Sequence, residues 1–131
     1  MKCLLDTSVL IHSLLSQPKL NQRAMSVLRD ESVELYLSVA SSWEIIIKSR
    51  SGKLDLPEEP AEFLTRVLRI MSLQSLQITQ LHALAVGDLP PYHRDPFDRM
   101  LIAQAREEGL VILTVDRIFE KYKVDQVYCG R

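Results

Sequence analysis

Apolar runs and helical spacings alternate along the chain. Lys2-Cys3-Leu4-Leu5 leads straight into Asp6, and Val9-Leu10-Ile11 follows after two hydroxyl residues. This pattern predicts a buried strand that ends at Asp6 and turns into a helix over residues 7–15, closed by Ser16-Gln17-Pro18. Leu20, Ala24, Val27 and Leu28 have helical spacing and predict a helix over 20–30. Residues 33–38 alternate and are rich in strand formers, so they predict a second strand, and residues 40–50 a helix with Gly52 as its stop. Leu56-Pro57-Glu58-Glu59-Pro60 introduces a helix over 61–71, with Phe63, Leu64, Val67, Leu68 and Met71 on one face. Leu76-Gln77-Ile78 reads as a short strand. Thr79 then caps a helix to about Val86, and Gly87-Asp88-Leu89-Pro90-Pro91 breaks it into a loop. Asp95 fits a helix N-cap and Pro96 the first helical position, for a helix that Gly109 ends. Leu110-Val111-Ile112-Leu113-Thr114 is continuously apolar, as a central parallel strand is. Asp116, a short helix through Tyr122 and a last strand over 123–128 complete the chain. Strands alternate with helices throughout, which predicts an α/β protein: three layers, a mainly parallel sheet of four or five strands, and a single domain over residues 1–131.

Composition narrows the class. With 131 residues, 47% hydrophobic and 25% charged, the chain is long enough for a real core, since a chain of this length buries roughly two-thirds of its unfolded surface. The net charge of −1 gives no global basic field, so any nucleic-acid contact must come from a local patch. Cys3 and Cys129 have no ligand-like spacing and read as reduced, buried thiols. Asp6 interrupts any signal-like N-terminus, and no apolar run reaches the roughly 18 residues of a membrane span. The expected location is the cytoplasm.

The candidate chemistry lies in four acids. Asp6 follows the first strand, Glu44 sits early in the helix after the second, Asp98 lies in the first turn of the helix before the long apolar strand, and Asp116 follows that strand. A crossover helix runs antiparallel to its strands, so its N-terminus meets the strands' carboxyl ends, where open α/β sheets bind ligands. All four carboxylates are therefore placed to converge. Each also has a structural reading. Asp98 fits a capping box with Asp95, Glu44 a cap with Ser41 or a pair with Lys48, and Asp6 and Asp116 helix caps, with Arg99 and Arg117 as neutralising neighbours. Two carboxylates ~4 Å apart repel by about 4 kcal/mol at an effective dielectric of about 20. Four together would protonate or splay apart unless a cation sat among them. Oxygen-only ligands suit Mg²⁺ or Mn²⁺, one ion or two, which activate water and stabilise charge in phosphodiester cleavage. No Gly-x-Gly-x-x-Gly follows the first strand, which argues against dinucleotide binding. A hydrolase with Asp6 as nucleophile would want an acid two positions on, where Ser8 stands.

Leu5-Asp6-Thr7-Ser8-Val9-Leu10, Ser42-Trp43-Glu44-Ile45-Ile46-Ile47-Lys48, His93-Arg94-Asp95-Pro96-Phe97-Asp98-Arg99-Met100-Leu101-Ile102-Ala103-Gln104-Ala105 and Leu113-Thr114-Val115-Asp116, in this order, resemble the PIN domain. They are most similar to the VapC-type ribonuclease toxins of toxin–antitoxin pairs. The resemblance implies a three-layer α/β/α PIN-like domain and a Mg²⁺- or Mn²⁺-dependent endoribonuclease. It also implies a cognate antitoxin that blocks the site, and a homodimer. Carried over by position, Asp6 and Asp98 match direct metal ligands. Glu44 and Asp116 complete the quartet, and Thr7 and Thr114 match supporting hydroxyl positions. Asp95 reads as a cap in preference to a ligand. The alternative reading is a PIN-like module that binds RNA or protein without cutting it.

An acidic pocket attracts RNA only with a metal and a basic rim. The candidate phosphate contacts are Lys48, Arg50 and Lys53 beyond the second helix, with Arg94, Arg99 and Arg117 near the acids. His93 reads as an incidental loop residue, His12 and His82 as structural, and Trp43 as a core or interface residue. The apolar stretches 40–47 and 61–71 either form a groove for an antitoxin segment or simply pack on the sheet.

Overall fold

The structure, a computed structural model, describes residues 1–15 and 20–131. Its strands are β1 (Lys2–Leu5), β2 (Glu34–Ser38), β3 (Gln74–Leu76), β4 (Val111–Thr114) and β5 (Gln126–Tyr128). They form one sheet in the order β3-β2-β1-β4-β5, and every neighbouring pair is parallel. The helices are α1 (Thr7–Leu14), α2 (Gln22–Arg29), α3 (Val39–Arg50), α4 (Pro60–Ile70), α5 (Gln80–Val86) and α6 (Pro96–Glu108). The predicted first helix ends at Leu14, and its expected stop, Ser16-Gln17-Pro18, lies outside the described residues.

Both faces of the sheet are covered, which explains the unbroken apolar runs. Cys3, Leu5, Leu35, Leu37 and Leu113 point to one side and pack with Val9, Leu10, Ala24, Ile45, Phe63 and Val67 of α1–α4. Leu4 and Ile112 point to the other and pack with Leu101, Ile102 and Ala105 of α6, and with Phe119 and Tyr122. This is the expected three-layer α/β/α arrangement, with five strands.

Three boundaries differ from expectation. The third strand is Gln74–Leu76, two residues early, because its partner sets its place: Tyr36 pairs with Gln74 and Ser38 with Leu76. The segment after Asp116 is a 3-10 turn over Arg117–Lys121, and β5 begins only at Gln126. Gly109 does end α6 as expected, in the left-handed conformation that glycine adopts without penalty.

The path of the chain positions the site. It starts at the centre with β1, moves outward through β2 and β3, then returns across the sheet to β4 on the other side of β1. The strand order reverses between β1 and β4, and a crevice opens outside the carboxyl ends of such a pair. Asp6 is the first residue beyond β1, and Asp116 the second beyond β4.

Ile112 is fully buried at the middle of β4. Ile112→Ala is expected to cost about 2–5 kcal/mol, read from the urea unfolding midpoint.

Candidate active site

Local structure fixes each acid. The Asp6 amide continues the sheet by donating to Leu113 O at 2.9 Å. Asp6 occupies the N-cap position of α1 but makes no side-chain capping bond; its Oδ2 instead accepts from the Thr114 hydroxyl at 2.8 Å. The same hydroxyl accepts from the Asp116 amide at 3.0 Å, so Thr114 ties the two acids of the central strands together. Asp116 Oδ1 caps the 3-10 turn by accepting from the Ile118 amide at 2.9 Å. Glu44 is 4% exposed on α3. Its Oε2 accepts from Lys48 Nζ at 2.7 Å, and its Oε1 is buried with no partner.

Asp98 is free of the capping box that the sequence allowed. Asp95 Oδ1 accepts from the Phe97 and Asp98 amides, as a cap does. The return bond, however, runs from the Asp95 amide to His93 Nδ1 at 3.2 Å. A histidine from the preceding loop thus takes the place that an acidic side chain would have filled. The Asp98 carboxylate turns to the site, where its Oδ2 lies 2.9 Å from His93 Nε2. The same nitrogen is 3.0 Å from Asp116 Oδ2. His93, read as incidental from the sequence, bridges two of the four acids. The only local signal was its place two residues before a capping Asp.

The acids feel one another. Burial pushes Asp98 up to about 8, reinforced by Asp6, Asp95, Glu44 and Asp116. Burial likewise raises Asp6 to about 6; the Thr114 hydroxyl opposes this, while Glu44 and Asp116 add to it. Lys48 is held charged mainly by its bond to Glu44. One ammonium does not balance this many carboxylates. The oxygen donors and the unpartnered buried Oε1 of Glu44 fit a hard divalent cation such as Mg²⁺ or Mn²⁺. The ligand atoms of His93, Asp98 and Asp116 all lie within 4.8 Å of one another.

The other sequence candidates separate. Thr114 touches the acids directly, whereas Thr7 donates to Ser41 Oγ at 2.9 Å and joins α1 to α3. That bond also occupies the serine considered as a cap partner for Glu44. Arg99 is not a free phosphate contact. Its Nη atoms donate to the carbonyls of Val86, Leu89, Pro90 and His93, so it fastens the loop that carries His93. Arg117 is exposed, paired with Glu120 at 2.7 Å and stacked 3.6 Å over the Tyr128 ring. Arg50 pairs loosely with Glu59 at 3.6 Å, while Arg94 and Lys53 are exposed. Trp43 is not in the core: it is 59% exposed, with its edge against Phe97 at a centroid distance of 5.3 Å. On α4, Phe63, Leu64 and Val67 are buried in the core, so that face of the helix packs against the sheet. On α3, Trp43, Ile46 and Ile47 are left exposed. Cys3 and Cys129 are free and buried. Among the described residues no helix is long and apolar enough to cross a membrane.

Residues 3–125 match the PIN domain family, so the chain belongs to that family. No curated protein matches the sequence. Solved structures share the fold. VapBC2 from Rickettsia felis, bound to a DNA fragment from its promoter, superposes with a TM-score of 0.73 at 13% identity, over 99% of this chain and 100% of that one. DNA-bound VapBC from Salmonella typhimurium gives 0.71 at 22% identity, over 98% of each chain. VapBC-1 from nontypeable Haemophilus influenzae gives 0.68 at 16%, again over 98% of each.

Two outcomes follow. Asp98 and Asp6 hold protons more tightly folded than unfolded, so the stability they contribute is complete below about pH 4 and is lost as pH rises through about 6 and about 8. In chelator, the melting temperature is expected to fall between pH 5 and 8.5, with the fall flattened in Asp98→Asn; a melting temperature that rises over that range contradicts the site's electrostatics. Arg99→Lys cannot reach four carbonyls with one ammonium and is expected to lose about 2 kcal/mol or more in urea unfolding.

Proposed function

We propose that the chain is a metal-dependent endoribonuclease of the VapC type, the toxin of a toxin–antitoxin pair. The observation that carries the reading is the gathering of Asp6, Glu44, Asp98 and Asp116, from four separate elements, at the switch point of the sheet. Burial raises the proton affinity of both Asp6 and Asp98; Glu44 and Asp116 add to it at both, and Asp6 adds to it at Asp98. Membership of the PIN family and the shared fold of VapBC structures support the same conclusion.

In this reading Asp6 and Asp98 would hold Mg²⁺ or Mn²⁺, with Glu44 and Asp116 completing the site; the ion when bound would supply a more acidic water and a counter-charge for the phosphate. Thr114 fixes the Asp6 carboxylate through its hydroxyl, so that the acid is presented at one angle. Lys48 neutralises one oxygen of Glu44 and leaves the other free. Asp116 is turned to the cluster by its own capping bond. Water attacking in line at phosphorus leaves a 5′-phosphate and a 3′-hydroxyl. Arg94, Lys53 and Arg117 lie exposed to meet the RNA backbone. Trp43, Ile46 and Ile47 form the exposed apolar face of α3 on which an antitoxin segment would lie, next to Glu44. A homodimer and a cytoplasmic location complete the proposal, with residues 1–131 acting as a single domain.

Purified protein is expected to cut a mixed RNA pool with Mn²⁺ or Mg²⁺. Asp6→Asn is expected to reduce cutting at least about a hundredfold, the scale of losing one group that stabilises transition-state charge, with an unchanged circular dichroism spectrum. Equal cleavage by the variant, or cleavage in excess chelator, would defeat the mechanism. Metal-indifferent RNA binding without cutting would favour a non-catalytic module.

A further inference from the structure

The loop between α5 and α6 holds one aromatic ring out in water: Tyr92 is 47% exposed. A single exposed aromatic is ordinary, but the backbone on both sides of this one is fastened. The Tyr122 hydroxyl donates to Pro90 O at 2.9 Å and accepts from the His93 amide at 2.8 Å. Arg99 Nη1 reaches the same two residues, donating to Pro90 O at 2.9 Å and to His93 O at 3.4 Å. Pro91, between them, has its φ fixed by its own ring and restricts Pro90 as well. Residue 92 is therefore presented by a stretch with little backbone freedom. An aromatic ring on a stiff support loses little entropy when something stacks on it.

The ring's neighbours have the chemistry of a nucleotide site. Its contact with Tyr122 is edge-on, at a centroid distance of 5.3 Å and an angle of 73°, and among the described residues no ring lies flat on it. Lys121 Nζ is 5.9 Å from the ring centroid, and Arg94 is exposed two residues further on. Among the described residues neither cation has an ion pair, whereas Lys48 and Arg117 are paired. An open aromatic face takes a base, and unpaired cations beside it take phosphates. The acids are close. His93, next in the chain, lies 2.9 Å from Asp98 and 3.0 Å from Asp116, and Lys121 ends the 3-10 turn that Asp116 caps. Such a turn spans roughly 10 Å, about three stacked nucleotides at about 3.4 Å each. Bases within a duplex are stacked on one another and offer Tyr92 no free face, whereas an unpaired base does.

We propose that Tyr92 is the stacking platform for an unpaired RNA base within about three nucleotides of the acids, with Lys121 and Arg94 on the flanking phosphates, so that the protein selects single-stranded RNA over duplex. This rests on the ribonuclease reading, and it adds the form of RNA taken and the ring that takes it.

The test uses the full chain carrying Asp6→Asn, so that bound RNA stays whole, and a short single-stranded RNA in which 5-iodouridine is moved one position at a time. Irradiation is expected to join the modified base to Tyr92 from a narrow set of positions, mapped by mass spectrometry. In fluorescence anisotropy Tyr92→Ala is expected to raise Kd about five- to a hundredfold, and Tyr92→Phe and Tyr92→Trp to keep it within about twofold. The same sequence as a duplex should bind more weakly and be indifferent to Tyr92→Ala. Cross-links that map to Trp43 and not to Tyr92, an equal Kd for a folded Tyr92→Ala, or duplex bound as tightly as single strand each overturn the proposal. If Tyr92→Ala fails to fold, the cross-link map decides alone. Metal-dependent cutting with a KM that Tyr92→Ala leaves unchanged would remove the platform and keep the nuclease. Cross-linking to Tyr92 with no cutting by the unmodified chain would remove the nuclease and keep the platform.

Discussion

Asp6 and Glu44 are both almost wholly buried, and a buried carboxylate is costly unless something answers its charge. The molecule answers it in part. Thr114 donates to Asp6, Lys48 donates to Glu44, and His93 Nε2 lies between Asp98 and Asp116. None of these contacts pairs off every oxygen. The remainder shows as proton affinities raised well above the usual carboxylate range at Asp98 and Asp6. Charge left unbalanced in a crevice is the signature of a group shaped for something other than stability.

The framework tolerates this because its core is elsewhere. Two apolar clusters cover the two faces of the sheet, and the acids lie only at its carboxyl edge. Strand β1 shows the division within a few residues: Cys3, Leu4 and Leu5 are fully buried apolar groups, and the next residue is Asp6. Packing holds the strand ends, and the strand ends hold the carboxylates.

Much of this was legible in the sequence because it is local. A strand that stops at an acid, Asp95-Pro96 opening a helix and Gly109 closing one need only their neighbours in the chain. The convergence of the four acids needed one further step, the direction of crossover helices. What escaped is non-local. The ring of His93 looks incidental until α6 and the Asp116 turn are both in place. Arg99 resembles a phosphate contact until the loop from Val86 to His93 folds over it and offers carbonyls. For Trp43 the sequence left core and interface both open, and on α3 it falls on the side that Ile45 and Glu44 leave outward. The third strand was misplaced because a three-residue edge strand takes its register from its neighbour and not from its own pattern.

Trp43 has a practical consequence. It is the chain's only tryptophan, it is more than half exposed, and its edge rests on Phe97 at the start of the helix that carries Asp98. The protein therefore contains one native fluorophore, lying against the helix that presents a site acid. A binding event that dries this face should shift the indole emission to the blue without any label, and a change confined to the opposite face of the sheet should leave that emission unchanged.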